Sequence, residues 1–309
     1  MWHESMFGLN WPNQATDKHQ NYNSNAPITP LRAFDRLTTD KWFAHGYKAY
    51  PPAPGKFLEL PAGGSLVAEL ACNRAFTTLR NPLEEMPLSD YACQEATGPL
   101  HAKVRIGEEA DPSKFGGTAL AIAYTSDAEA IQPGDMTVIS INYTSVYLRE
   151  TVYPIPADLG ACPPGGCLCT WNWLHKATEG EGYGSEMYNV MFRCNVTGAT
   201  TSNVLPLGQA AVPVLCEDDP SACVKGPKQP MYIYQADGNN MPMNPCPKIP
   251  PSYNMRYGFR DGAQSDLFSF GNHTTSIAAS APSSAISAIG QPPRPSHKTC
   301  KRKRRRQLY

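Results

Sequence analysis

Charge is scarce in this chain: Asp, Glu, Lys and Arg make up only 17% of its 309 residues. No run of about 18 apolar residues occurs, which excludes a membrane-spanning helix. The ten cysteines contain no Cys-x2-Cys pair, and the seven histidines no His-x-His or His-x3-His pair. Spacing alone therefore defines no metal site. A Gly-x-Ser-x-Gly elbow and a phosphate-binding glycine loop are also missing, which removes two local enzyme signatures. The paired acids Glu84–Glu85, Glu108–Glu109 and Asp218–Asp219 are sequence neighbours. A two-carboxylate hydrolase needs acids that converge from separate segments, so these pairs read as solvated surface.

Proline and glycine, by contrast, are plentiful, at 30 and 24 residues. They disfavour long helices and favour short strands joined by turns. The formal net charge of zero hides an asymmetry. Eight of the 27 basic residues lie from Arg294 onward, where no acid occurs, leaving 19 against 27 acids and a body of charge −8. An acidic body is unsuited to nucleic acid, whose phosphates demand a cationic face.

Cysteine usage points outside the cell. Cys72, Cys93, Cys162, Cys167, Cys169, Cys194, Cys216, Cys223 and Cys246 are the disulfide candidates, with Cys300 in the tail as the odd one out. Disulfides are favoured over zinc because finger spacing is lacking. Cys216 and Cys223 are close enough to bridge a small loop, while the rest of the connectivity stays open. Three glycosylation sequons, at Asn142, Asn195 and Asn272, agree with an oxidising, extracellular destination.

Strands are predicted around the turn in FLELPAGGSLVAELAC (57–72), and in AKVRI (102–106), GTALAIAYT (117–125) and MTVISINYTSVYL (136–148). YNVMFRCNV (188–196), AVPVLC (211–216) and MYIYQ (231–235) are further candidates. Only 82–91 and 126–131 invite a helical turn, and residues 1–55 read as irregular structure wrapping a core. Short strands without alternating helices predict an all-β protein, an antiparallel sandwich with long loops and few short helices. A domain over 1–272 is expected, followed by a Ser/Ala/Pro linker and basic tail over 273–309 whose composition predicts disorder. The basic run reads as part of that tail in preference to a nuclear signal.

The segment PADLGACPPGGCLCTWNW (156–173) resembles a hallmark of the auxiliary activity family 14 lytic polysaccharide monooxygenases of fungi. Four further segments fit in the same order: 54–79, GTALAIAYTSD (117–127), VLCEDDPSACVKGPKQ (214–229) and YGFRDGAQSDLF (257–268). The likeness runs from about Ser5 to Phe270. It implies an immunoglobulin-like sandwich with a surface copper site that cleaves xylan or cellulose oxidatively. It also implies a monomer that takes electrons from an external donor. Copper in such a site is bound by the amine and imidazole of an N-terminal histidine, a second imidazole and an axial tyrosine. The resemblance sets His101, in TGPLHAKVRIG, as the second imidazole and Tyr188, in MYNVMFRC, as the axial and catalytic tyrosine. Trp42, Trp171, Trp173 and Tyr183 are candidates for stacking on sugar, with core packing as the competing role.

The opening MWHESMFGLN departs from this pattern. His3 follows Trp2, whereas the first ligand must begin the mature chain, so His3 is only a weak metal candidate. The expectation is that Met1 is an internal residue, with a histidine just upstream behind a signal peptide. The alternative function is a secreted, non-catalytic β-sandwich that binds carbohydrate or copper and has lost the histidine pair. A cell-surface interaction protein, whose tail leads to an anchor, is a weaker third reading.

Overall fold

The structure, a computed structural model, describes residues 1–9, 25–80, 87–93, 104–175, 185–242 and 251–268. All of them fall in the first of the chain's two units, Met1–Phe270. The strands are β1 (Leu31–Arg32), β2 (Leu58–Pro61), β3 (Ser65–Glu69), β4 (Thr118–Ala123), β5 (Thr137–Asn142), β6 (Glu150–Pro154), β7 (Cys167–Leu174), β8 (Glu186–Thr197) and β9 (Gly262–Ala263). The one described α-helix is the single turn α1 (Thr39–Trp42). No described helix is long and apolar enough to cross a membrane.

Seven strands form one sheet in the order β1-β8-β7-β4-β5-β9, with β2 paired in parallel to the far end of β8. All other pairings in that sheet are antiparallel. The antiparallel pair β3–β6 forms a second, smaller layer. This is the expected sandwich, with the parallel β2–β8 contact as an addition.

Strands β4 and β7 are buried along their whole length, because the large sheet is covered on both faces. Side chains alternate between the faces with period two. On one face Trp171, Trp173, Tyr188, Val190 and Phe192 join Leu66, Ala68 and Tyr153 of the small layer and the opening residues Met1, Trp2 and Met6. On the other face Leu168, Leu174, Met187 and Met191 pack under Trp42, Phe43, Met231, Tyr232, Tyr253 and Phe259, contributed by loops. Burying each such large apolar side chain contributes on the order of 1.5–3 kcal/mol.

Several predicted elements change. Residues 136–148 divide into β5 and a turn, since Asn142 bonds its own loop through Thr144 N–H at 3.1 Å. Segments 211–216 and 231–235 form no strands, apart from a single bridge between Ala211 and Lys228, and Tyr234 takes a left-handed φ of 78°. Of the predicted strand 102–106, residues 104–106 form no strand, while 102 and 103 lie outside the described residues. The helical turn expected over 126–131 is a plain turn; of the one over 82–91, residues 82–86 lie outside the described residues and 87–91 form no helix.

Four disulfides join Cys72–Cys93, Cys162–Cys167, Cys169–Cys194 and Cys216–Cys223. The small Cys216–Cys223 loop is the one expected from spacing. Cys246 and Cys300 lie outside the described residues.

Candidate active site beside Tyr188

Tyr188 sits near the start of β8, where the strand is wedged between β1 and β7. Directly across the β7–β8 pair stands Trp173, and the two rings stack with centroids 4.8 Å apart and planes 23° apart. Trp171 follows on the same face, 6.2 Å from Trp173 and 6.4 Å from Tyr188. Its indole N–H donates to the Tyr153 hydroxyl at 2.9 Å, which fixes the aromatic row against the small layer. His175 continues the β7 alternation and meets Trp173 edge-on at 5.7 Å.

The other face of β8 anchors the strand through polar contacts. Ala44 and His45 adopt left-handed φ angles of 54° and 51°. That turn lets Ala44 N–H donate to Asn189 Oδ1 at 2.6 Å, and Asn189 Nδ2 donate on to Asn172 Oδ1 at 2.7 Å. The His45 ring bridges the Asn189 carbonyl, 2.7 Å away, and the Thr29 carbonyl, 2.8 Å away. His45 thereby fastens the loop before β1 to the residue next to Tyr188. Burial pushes its pKa down to about 4, against the opposing pull of the two carbonyls.

A cavity of about 150 Å³ opens beside Tyr188. Its walls are Met1, the loop residues Asn25, Ile28 and Pro30, Leu70–Cys72 after β3, Val146, and the three aromatics Trp171, Trp173 and Tyr188. Among the described residues, no carboxylate lines it. Hard cations such as calcium and magnesium need several oxygen ligands, so this lining does not suit them. Copper favours imidazole nitrogen, and the described lining offers the Tyr188 phenol alone, so its imidazoles would have to come from outside the described residues. Burial, reinforced by the nearby Glu186 carboxylate, raises the Tyr188 hydroxyl above its ordinary pKa, so it stays a neutral phenol.

The opening segment reaches this cavity through Met1 and is held to the sheet beyond it. Trp2 N–H donates to Glu69 O at 2.8 Å and its indole N–H to Ala71 O at 2.9 Å. Phe7 N–H donates to Met191 O at 2.9 Å on β8. Met1 is buried against the cavity, and desolvation pushes its amine down to about 4. His3 is half-buried and does not line the cavity; its Nδ1 accepts from Ser5 N–H at 3.1 Å and lies 2.7 Å from the Ser5 hydroxyl.

His101 lies outside the described residues, as do Tyr183 and Asn272. No cluster of three His, Cys, Asp or Glu side chains occurs among the described residues. Trp42, Trp171 and Trp173 are 0–4% exposed, which corrects the sugar-stacking expectation for all three. Their indoles are core residues because the sheet is covered on both faces. Asn142 and Asn195 are partly exposed.

Among the described residues, the site is a cavity in an all-β sandwich lined by one neutral phenol and two indoles, one of them stacked on it. A family model described as lytic polysaccharide monooxygenase AA14 matches residues 1–304. The AA14 family lytic polysaccharide monooxygenase B of Pycnoporus cinnabarinus is 38% identical over 278 residues, covering 86% of this chain and 69% of that protein. The B protein of Trametes coccinea (strain BRFM310) is 37% identical over 288 residues, 86% of this chain and 62% of its own. The A protein of the same fungus is 35% identical over 310 residues, 93% of this chain and 65% of its own. The chain thus spans about two thirds of the length of these relatives. It belongs to the AA14 lytic polysaccharide monooxygenases, a family of copper-dependent oxidoreductases that cleave polysaccharide.

Proposed function

We propose that this protein cleaves glycosidic bonds of xylan or cellulose in plant cell walls, with copper held in the cavity beside Tyr188. His101 supplies one imidazole, and a histidine just upstream of Met1 supplies a second together with its amine. Copper, when bound, supplies the activation of oxygen. The protein's own groups set the surround: Tyr188 would stand beside the metal as a neutral phenol, Trp173 stacks on its ring, and His45 ties the loop before β1 to β8. The single observation that carries this reading is the Tyr188 phenol in a cavity shared with Met1 and, among the described residues, lined by no carboxylate.

The protein acts as a secreted monomer supplied with electrons by an external donor. Its catalytic domain covers 1–272, and 273–309 is a Ser/Ala/Pro linker and basic tail. Glycans are carried at Asn142, Asn195 and Asn272. Asn195 lies on β8 beside Glu59 of the parallel edge strand β2, partly open to solvent.

The test is mass spectrometry of products released from xylan-coated cellulose by the copper-loaded chain, extended to the upstream histidine and given a reductant. Oxidised oligosaccharides support the reading. Polysaccharide or copper binding without oxidised products supports the non-catalytic alternative.

A further inference from the structure

Phe34 is 75% exposed, more than any other large apolar side chain among the described residues; Val67 follows at 58%. A lone exposed apolar residue is ordinary on a protein surface and by itself signals nothing. Phe34 differs in how firmly it is held. Ala33 N–H donates to Ser185 O at 2.8 Å, and Arg32 N–H to Asp35 Oδ2 at 3.3 Å. Arg36 closes the turn in the left-handed region, with φ 47°. The Arg32 guanidinium lies 5.6 Å from the Phe34 ring centroid, and its Nε is 3.3 Å from the Glu186 carboxylate. The ring is thus fixed to β8 two residues before Tyr188, with most of its surface open to solvent.

Its place follows from strand register. Leu31 pairs with Met187 and Arg32 with Glu186, so the register continues to Pro30 opposite Tyr188. Pro30 and Tyr188 both line the cavity. Phe34 is four residues beyond Pro30, at most about 13 Å along an extended chain and less across the short turn that carries it. Arg32, Asp35 and Arg36 flank the ring, all exposed. The described aromatics first expected to stack on sugar are buried, so this task falls to a different side chain.

We infer that Phe34 is a sugar-stacking platform on the turn after β1, within about 13 Å of chain from the cavity-lining Pro30. The apolar C–H face of a pyranose packs on the phenyl ring, while Arg32, Asp35 and Arg36 offer hydrogen-bond partners to its hydroxyls. This combination of a flat apolar face and surrounding charged groups matches the alternating character of a sugar ring. The inference rests on the reading that the substrate is a polysaccharide, and it names where one unit of that substrate is held.

Depletion binding of the copper-loaded full chain to insoluble cellulose and to xylan-coated cellulose tests it. Phe34→Ala is expected to bind roughly tenfold more weakly, the loss of about 1.4 kcal/mol. Phe34→Trp retains binding, and Met255→Ser, at a 52% exposed apolar position on a separate turn, leaves it unchanged. Copper content and thermal midpoint of each variant check that site and fold are intact. Wild-type-like binding by Phe34→Ala overturns the platform while leaving polysaccharide as substrate. Equal losses in Phe34→Ala and Met255→Ser also overturn it, since they mark general adsorption. Failure of the wild-type chain to bind either material removes the polysaccharide reading and the platform together.

Discussion

Trp173 stacks face to face on Tyr188 across the β7–β8 pair, with ring centroids 4.8 Å apart. The contact sets the wall of the cavity, because the indole prevents the phenol from swinging out of it. Trp173→Ala removes a buried indole and is expected to cost about 3–5 kcal/mol. Tyr188→Phe keeps the stacked ring and is expected to change stability by no more than about 1 kcal/mol. Urea unfolding of the two variants beside the wild type checks this pair of outcomes.

The Cys169–Cys194 disulfide crosses the same strand pair at its other end, closing a loop over a sequence separation of 25. Replacing both residues by alanine is expected to lower stability by about 3–4 kcal/mol, from the lost constraint on the unfolded chain. Denaturant midpoints of the oxidised wild type and the double variant measure the difference.

His45 makes stability depend on pH. Its folded pKa of about 4 lies below the ordinary value of 6.5, so between those values the unfolded chain binds the extra proton. The stabilising contribution is therefore complete above about pH 6.5 and declines as pH falls toward 4, by about 3 kcal/mol in all. Thermal midpoints of the metal-free wild type are expected to fall over that window more steeply than those of His45→Gln. Parallel curves for the two proteins would remove His45 as the cause.

Glycosylation distinguishes the sequons. Asn195 faces outward on β8, whereas the Asn142 side chain is engaged, donating to Val152 O at 3.2 Å and accepting from Thr144 N–H at 3.1 Å. Peptide mapping of the secreted protein is expected to show higher occupancy at Asn195 than at Asn142.

The fold was legible in part: β4 and β8 were expected as strands, whereas β7, buried along its whole length, was not. GTALAIAYT reads as a strand because two cores leave it no polar side, and YNVMFRCNV reads as one through its Tyr, Val and Phe despite Asn189, Arg193 and Asn195 on one face. AVPVLC and MYIYQ have the same composition, yet composition reports burial or extension and not the partner of each backbone N–H. In the second segment those partners are side chains: Met231 N–H donates to the Tyr253 hydroxyl at 3.0 Å, and Tyr232 N–H to Asn240 Oδ1 at 2.8 Å. In the first, Val212, Val214 and Leu215 face solvent instead of a ladder.

The site was legible in part. Tyr188 stood out through the resemblance, and the structure sets it in a cavity. Phe34 carried no signal, since a lone phenylalanine in LRAFDRL has no period or spacing, and its exposure follows from the turn. His45 was equally silent, because its left-handed backbone and two carbonyl partners are supplied by distant segments. Strand register alone would pair Cys167 with Cys194, which are opposite each other, but the bond runs diagonally to Cys169.

Electron paramagnetic resonance of the copper-loaded chain, extended to the upstream histidine, tests the copper site most directly. The account predicts a type 2 copper signal at one ion per chain, lost in His101→Ala and altered in Tyr188→Phe. A signal of unchanged shape and intensity in His101→Ala would contradict it.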